Sequence, residues 1–352
     1  MKKILGGLLF LAILLVACSK DEDQTTDHEE KDIGKEPKEE IEVEVEGENR
    51  YPLTGLYTND SVDNRIIGVM VNNHSEARPQ SGLSKADIVF EILAEGKITR
   101  FLALFQSEIP DVIGPVRSAR EYYFDLADRY NALYVYHGAA DFVDQMIINQ
   151  GISFLNGSTY DNDGKLFKRE SFRKAPHNSY VLTDAVYGVA EGKGYETTVD
   201  YEPLPFLEEE EIEGIAGEPA QHVEIVYSEN PMEIVEFSFD EANGSYKRYN
   251  DREQTVEMDT GTPIEVKNVF IIEAFHQVID DQGRRAIDLD SGGNAYLLQD
   301  GKVQQLQWEN EGGRLIPVKD GKKIGFVPGK TWINVVPTNP SIEESVTISN
   351  PE

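Results

Sequence analysis

Apolar residues along this chain fall mostly into short runs bounded by Gly, Pro, Asn and Asp, a pattern that predicts strands more often than helices. "RIIGVMVNN" (Arg65 to Asn73) reads as a buried strand. "DIVFEILAEGKITRFLALFQ" (Asp87 to Gln106) reads as two strands joined at Glu95-Gly96-Lys97, a connection short enough to make a hairpin. If side chains alternate along the first strand, Ile88, Phe90 and Ile92 point one way and Val89, Glu91 and Leu93 the other. Glu91 is then a carboxylate among apolar neighbours, and a buried carboxylate needs a partner.

Helical spacing is rarer. Phe124, Leu126, Ala127 and Tyr130 form an apolar stripe, and Ser118 followed by Glu121 has capping-box spacing, which predicts a helix starting there. "ALYVYHG" is a strand ending in His137, Asp141 is placed to cap a helix through Ile148, "APHNSYVL" is extended, and Thr183 can cap a helix over Ala185 to Ala190. After Tyr201 the Pro- and Glu-rich stretch 202–220 reads as an acidic linker. Strands dominate beyond it: "HVEIVYS", "IVEFSFD", "VFIIEAF", "NAYLLQDGKVQQLQW" and "GKTWINVVP". The expected class is α+β, with a mixed α/β N-terminal domain at 51–201, a β-rich, mainly antiparallel C-terminal domain at 221–341 and a tail at 342–352. Trp308 and Trp332 are expected in the core or on a sheet face.

The first residues follow a different pattern. Lys2 and Lys3 precede an apolar run from Ile4 to Ala17 that is short for a membrane span, which reads as an export signal at 1–17. Leu15-Val16-Ala17-Cys18 resembles the lipobox of bacterial lipoproteins, and that resemblance implies lipid on the Cys18 sulfur and an outward-facing, membrane-tethered protein. Cys18 is the chain's only cysteine, so no disulfide or thiolate site is expected downstream.

Charge refines this picture. Formal net charge is -31, and residues 18–50 alone carry 14 Asp and Glu against 5 Lys and Arg with few large apolar residues. That stretch is expected to be a solvated, disordered stalk. Such a polyanion makes nucleic acid a poor partner. Between Glu76 and Tyr180, by contrast, 12 Lys and Arg nearly balance 14 Asp and Glu. The least ordinary spelling lies in that near-neutral stretch.

"GPVRSAR" (Gly114 to Arg120) places Arg117 and Arg120 at the predicted start of a helix, where the dipole disfavours positive side chains and favours an anion. Two readings are open. The arginines can neutralise Glu91, Glu95 or Asp87 inside the fold, or they can hold an external anionic group. The six histidines stand singly, without His-x-His or His-Glu-x-x-His spacing, so neither a metal nor another cofactor is expected.

Read together, "ARPQSGLSKADIVFEILAEGKITRFLALF", "GPVRSAR", "APHNSY", "LDSGGNAYLLQDGK" and "GKTWINVVP" resemble the YerB-like lipoproteins of Gram-positive bacteria, a two-part family of unknown function. The resemblance implies a mixed α/β part followed by a β-rich part. It carries the motif positions Arg78, Glu91, Glu95, Arg100, Arg117, Arg120, His177 and Asn178. These describe either a cleft or a buried polar network. The leading expectation is a non-catalytic binding or scaffolding module of the cell envelope. Its expected partners are the lipid bilayer, through Cys18, and an anionic small molecule, a wall component or an envelope protein. The alternative is an enzyme acting on wall or lipid-linked material, with Glu91 or Glu95 and His137 or His177 as acid and base.

Overall fold

The apolar runs form strands where the alternation places them. The computed structural model describes residues 47–227 and 234–350. The leader at 1–17, Cys18 and the stalk up to residue 46 lie outside the described residues. In chain order the principal strands begin with β1 (Ile67–Asn72), β2 (Ile88–Leu93), β3 (Thr99–Phe105), β4 (Leu133–Tyr136) and β5 (Phe154–Asn156). Three more follow the acidic segment, β6 (His222–Val226), β7 (Ile234–Asp240) and β8 (Ser245–Asn250). The last six are β9 (Asn268–Ala274), β10 (Gly293–Gln299), β11 (Lys302–Glu311), β12 (Arg314–Lys319), β13 (Thr331–Pro337) and β14 (Val346–Ser349).

One sheet of twelve strands organises the molecule, running β12-β11-β10-β9-β13-β2-β3-β1-β4-β5, with Lys322–Lys323 beside β12 and Glu218–Pro219 beside β11. β13 lies parallel to both β9 and β2, so strands from the two predicted segments are neighbours in one ladder. The hairpin β2–β3 is antiparallel, as its short connection requires.

The two faces of this sheet are covered differently. Ile88, Phe90 and Ile92 pack with Tyr122, Tyr123, Phe124 and Leu126 of helix α1 (Glu121–Arg129) and with Val143 and Ile147 of α2 (Asp141–Gln150). Val89 and Leu93 face the other way, against Val223, Ile225, Val235, Phe237 and Tyr246 of a second, six-stranded sheet containing β6, β7, β8 and β14. Period-two alternation along β2 thus separates a helix layer from a sheet layer. All six positions of β2 are buried, and full burial of each apolar one contributes about 1.5–3 kcal/mol. Both tryptophans are wholly buried, Trp308 under the helix layer and Trp332 under the second sheet.

Several boundaries differ from those read off the sequence. Asn49–Arg50 already pairs with Tyr57–Thr58, so strand pairing is present within the predicted stalk. The linker at 202–220 is partly built in: Leu204 and Ala220 are buried, and Glu218–Pro219 pairs with β11. The tail at 342–352 supplies the fully buried Ile342 and strand β14, which pairs with β6. Pro and Glu composition reports exposure of most side chains there, yet a few alternate apolar positions suffice to dock a segment. At the helix starts, α1 has Arg120 as its N-cap residue, whereas Ser118 donates to the His137 carbonyl at 3.3 Å, and Ala140 rather than Asp141 precedes α2. Thr183 opens a short 3-10 turn and donates to the Pro110 carbonyl at 2.5 Å, and the helix beyond it spans Val186–Gly192.

Candidate anion-binding site

The eight motif residues separate into a closed network, an arginine mouth and a histidine edge. Glu91, inward-facing on β2, is fully buried, and its partner is Arg248 of β8 rather than Arg117 or Arg120. Arg248 Nη2 lies 2.9 Å from each Glu91 oxygen. Thr99 Oγ1 and Trp332 Nε1 donate to the same carboxylate, each at 2.9 Å. The Arg248 guanidinium also lies over the Trp332 ring at 4.6 Å, so the pair is enclosed by apolar surface and hydrogen-bonded on several sides. Arg78 belongs to this structural group: its Nε and Nη2 donate to the Asn73 carbonyl at 3.0 and 2.8 Å, and its Nη1 pairs with Asp251 at 2.6 Å. Asp87, the third carboxylate considered for the arginines, instead accepts from the backbone N–H groups of Gln106 and Ser107 at 2.7 and 2.9 Å.

The arginine mouth is built at the end of the β2–β3 hairpin and the start of α1. Glu95, in the hairpin turn, pairs with Arg100 at 2.7 Å and also holds Arg120. Burial alone would raise the Glu95 carboxyl, but Arg100 and Arg120 together outweigh it and hold the group below the usual carboxylate range. Arg117 completes the group. Its backbone is fixed between the Met70 carbonyl, which accepts from its N–H at 2.9 Å, and the His137 N–H, which donates to its carbonyl at 3.0 Å. Its side chain is half-buried, and its buried Nε has no hydrogen-bond partner among the described residues. Burial and the neighbouring charges of Arg100 and Arg120 lower the Arg117 guanidinium to about 10, with Glu95 opposing them. It remains charged at neutral pH. Three guanidinium groups therefore lie near one carboxylate, which pairs with only Arg100 and Arg120, in a chain of net charge -31.

His177 and Asn178 lie on the segment entering the strand Ser179–Leu182. Asn178 Oδ1 accepts from Arg169, on the antiparallel neighbouring strand Phe167–Arg169, at 2.9 Å, a structural contact. His177 Nδ1 lies 2.9 Å from the Asn72 amide nitrogen, and its Nε2 is 3.5 Å from Glu76. The acid–base pairings considered from sequence do not form. Glu91 is enclosed with Arg248 and Glu95 with two arginines, while His137 Nδ1 is 2.7 Å from the Ser179 hydroxyl, on a residue only 2% exposed. Sequence reading missed Arg248, His74 and Glu76. Arg248 was detectable in principle, because it alternates in phase with Tyr246 and Asn250 on β8. Nothing along the chain links His74 to a histidine more than a hundred residues away.

Comparison with known proteins agrees with the two-part reading. The model described as "Protein of unknown function (DUF3048) N-terminal domain" matches residues 53–196, and its C-terminal counterpart matches 223–333. A Bacillus subtilis (strain 168) protein named "Putative lipoprotein YerB" is 46% identical over 290 residues, 82% of this chain and 86% of that protein. The crystal structure of YerB from Bacillus subtilis superposes with a TM-score of 0.78 at 43% identity, covering 86% of this chain and all of that one. Segment matches, overall identity and shared fold lead to one conclusion: this chain belongs to the YerB-like family, whose two conserved parts both have unknown function.

Proposed function

We propose that the protein is an outward-facing lipoprotein, anchored through lipid on Cys18, whose arginine mouth binds an anionic group of an envelope component without transforming it. The leader and lipobox-like residues support the anchor, as does the lipoprotein name carried by the Bacillus subtilis relative. The observation that carries the binding reading is Arg117. A charged guanidinium with a buried, unpartnered Nε, placed among Arg100 and Arg120, is costly unless an anion offsets it. Glu91, the internal carboxylate considered for that role, is satisfied elsewhere by Arg248.

Titration with inorganic phosphate and with acetate, followed by NMR or calorimetry, tests the reading. Arg117→Gln is expected to weaken anion binding by about tenfold or more, the scale of one lost charge-assisted contact. Equal binding by both proteins would remove the mouth as a site.

A further inference from the structure

A separate group of side chains stands at the end of β1. His74 and Glu76 flank Ser75 in the 3-10 turn Ser75–Ala77, and His177 reaches them from the other segment. The imidazole rings lie 4.6 Å apart at 36°, and Glu76 Oε2 is 3.5 Å from His177 Nε2. One ligand atom from each of the three residues lies within 4.8 Å of the other two. We propose that His74, Glu76 and His177 form a binding site for a divalent first-row transition-metal ion of the zinc type.

The spacing is close to what such an ion requires. Bonds of about 2.0–2.2 Å in a tetrahedral arrangement place neighbouring ligand atoms about 3.3 Å apart. The His177–Glu76 separation already approaches that value, and the Glu76 side chain is 74% exposed, free to rotate and close the remainder. The backbone under the site is held firmly: Ala77 donates to the His74 carbonyl at 2.7 Å and is itself fully buried, while the side chain of Arg78, the next residue, donates to the Asn73 carbonyl at 2.8 Å. Two nitrogens and one oxygen suit zinc and its first-row neighbours better than magnesium or calcium, which prefer all-oxygen sets. Three protein ligands also leave a coordination position open to water or an exogenous group.

Three hydrogen bonds change on loading. The Asn72 amide nitrogen now faces His177 Nδ1, and its oxygen accepts from the His74 N–H at 3.0 Å. When Nε2 of His177 takes the ion, Nδ1 carries the ring proton and Asn72 turns its oxygen to accept it, the usual support for a ligating imidazole, giving up the bond it now accepts from the His74 N–H. His74 Nδ1, which accepts from the exposed Glu76 N–H at 3.1 Å, gives up that bond as the ring turns toward the ion.

Calorimetric titration of zinc into the detergent-solubilised full chain, prepared without an affinity tag, tests the site. One saturable event with micromolar or tighter dissociation is expected. His74→Ala and His177→Ala should each weaken it about tenfold or more, and Glu76→Gln should weaken it measurably. His137→Ala and His28→Ala should leave it intact. Arg117→Gln should preserve or tighten it, because that guanidinium repels the ion, which separates this site from the arginine mouth. Unchanged binding in all three ligand variants, or loss in His28→Ala, would overturn the proposal. If His177→Ala does not fold, His74→Ala and Glu76→Gln decide, since both side chains reach solvent.

Discussion

Arg117 and Arg120 are three residues apart and carry the same charge, yet the structure gives them opposite energetics. Arg120 pairs with Glu95, and its side chain is only 11% exposed. Replacing it by glutamine leaves Arg100 to hold the carboxylate alone, so a loss of about 1–2 kcal/mol is expected, between exposed and fully buried ion pairs. Arg117→Gln removes a half-buried charge repelled by two neighbours, so in the absence of a bound anion it should raise stability, by about 1 kcal/mol. Chemical denaturation of the two single variants measures the difference. A large loss in Arg117→Gln would mean that an internal group depends on it. From sequence, both arginines were recognisable as unusual at a helix mouth, and Glu91 as a carboxylate needing a partner. The pairing was not recognisable, because alternation fixes which face a side chain leaves from but not what covers that face. Arg248 is 157 residues away in the chain.

At the scale of elements, the Glu91–Arg248 pair joins β2 of the main sheet to β8 of the covering sheet across the apolar layer between them. Removing one member strands the other. Arg248→Met should therefore destabilise the protein by about 3–5 kcal/mol. The double variant Glu91→Gln, Arg248→Met should recover much of that loss, because no unpaired charge is left inside. An additive double variant, read from urea midpoints, would show that packing of the arginine stem rather than charge pairing carries the effect. The strands themselves were legible wherever apolar residues alternate, as in Ile88, Phe90 and Ile92. Their neighbours were less so: β2 and β3 are consecutive and joined by a short turn, whereas β13 enters parallel between β9 and β2, a placement no local pattern announces.

Taken whole, the molecule has two sequence segments, each recognised by its own family model, and one continuous main sheet shared between them. The central position of β13 bears on how the chain acquires its structure in time. Until residues 331–337 have emerged and inserted, β2 presents Ile88, Phe90 and Ile92 beside an open row of backbone donors and acceptors, and β9 does the same on its own side. Such a topology defers closure to late, long-range pairing and leaves a sticky intermediate in the interval. Residues 47–220 expressed alone should consequently aggregate or remain expanded, as judged by size-exclusion chromatography and near-ultraviolet circular dichroism. A monodisperse, cooperatively melting fragment would contradict this. If the chain is threaded unfolded across a membrane from its N-terminus, the first segment waits outside for its central neighbour, and the cell surface must shelter that half-built edge from other chains until translocation delivers it.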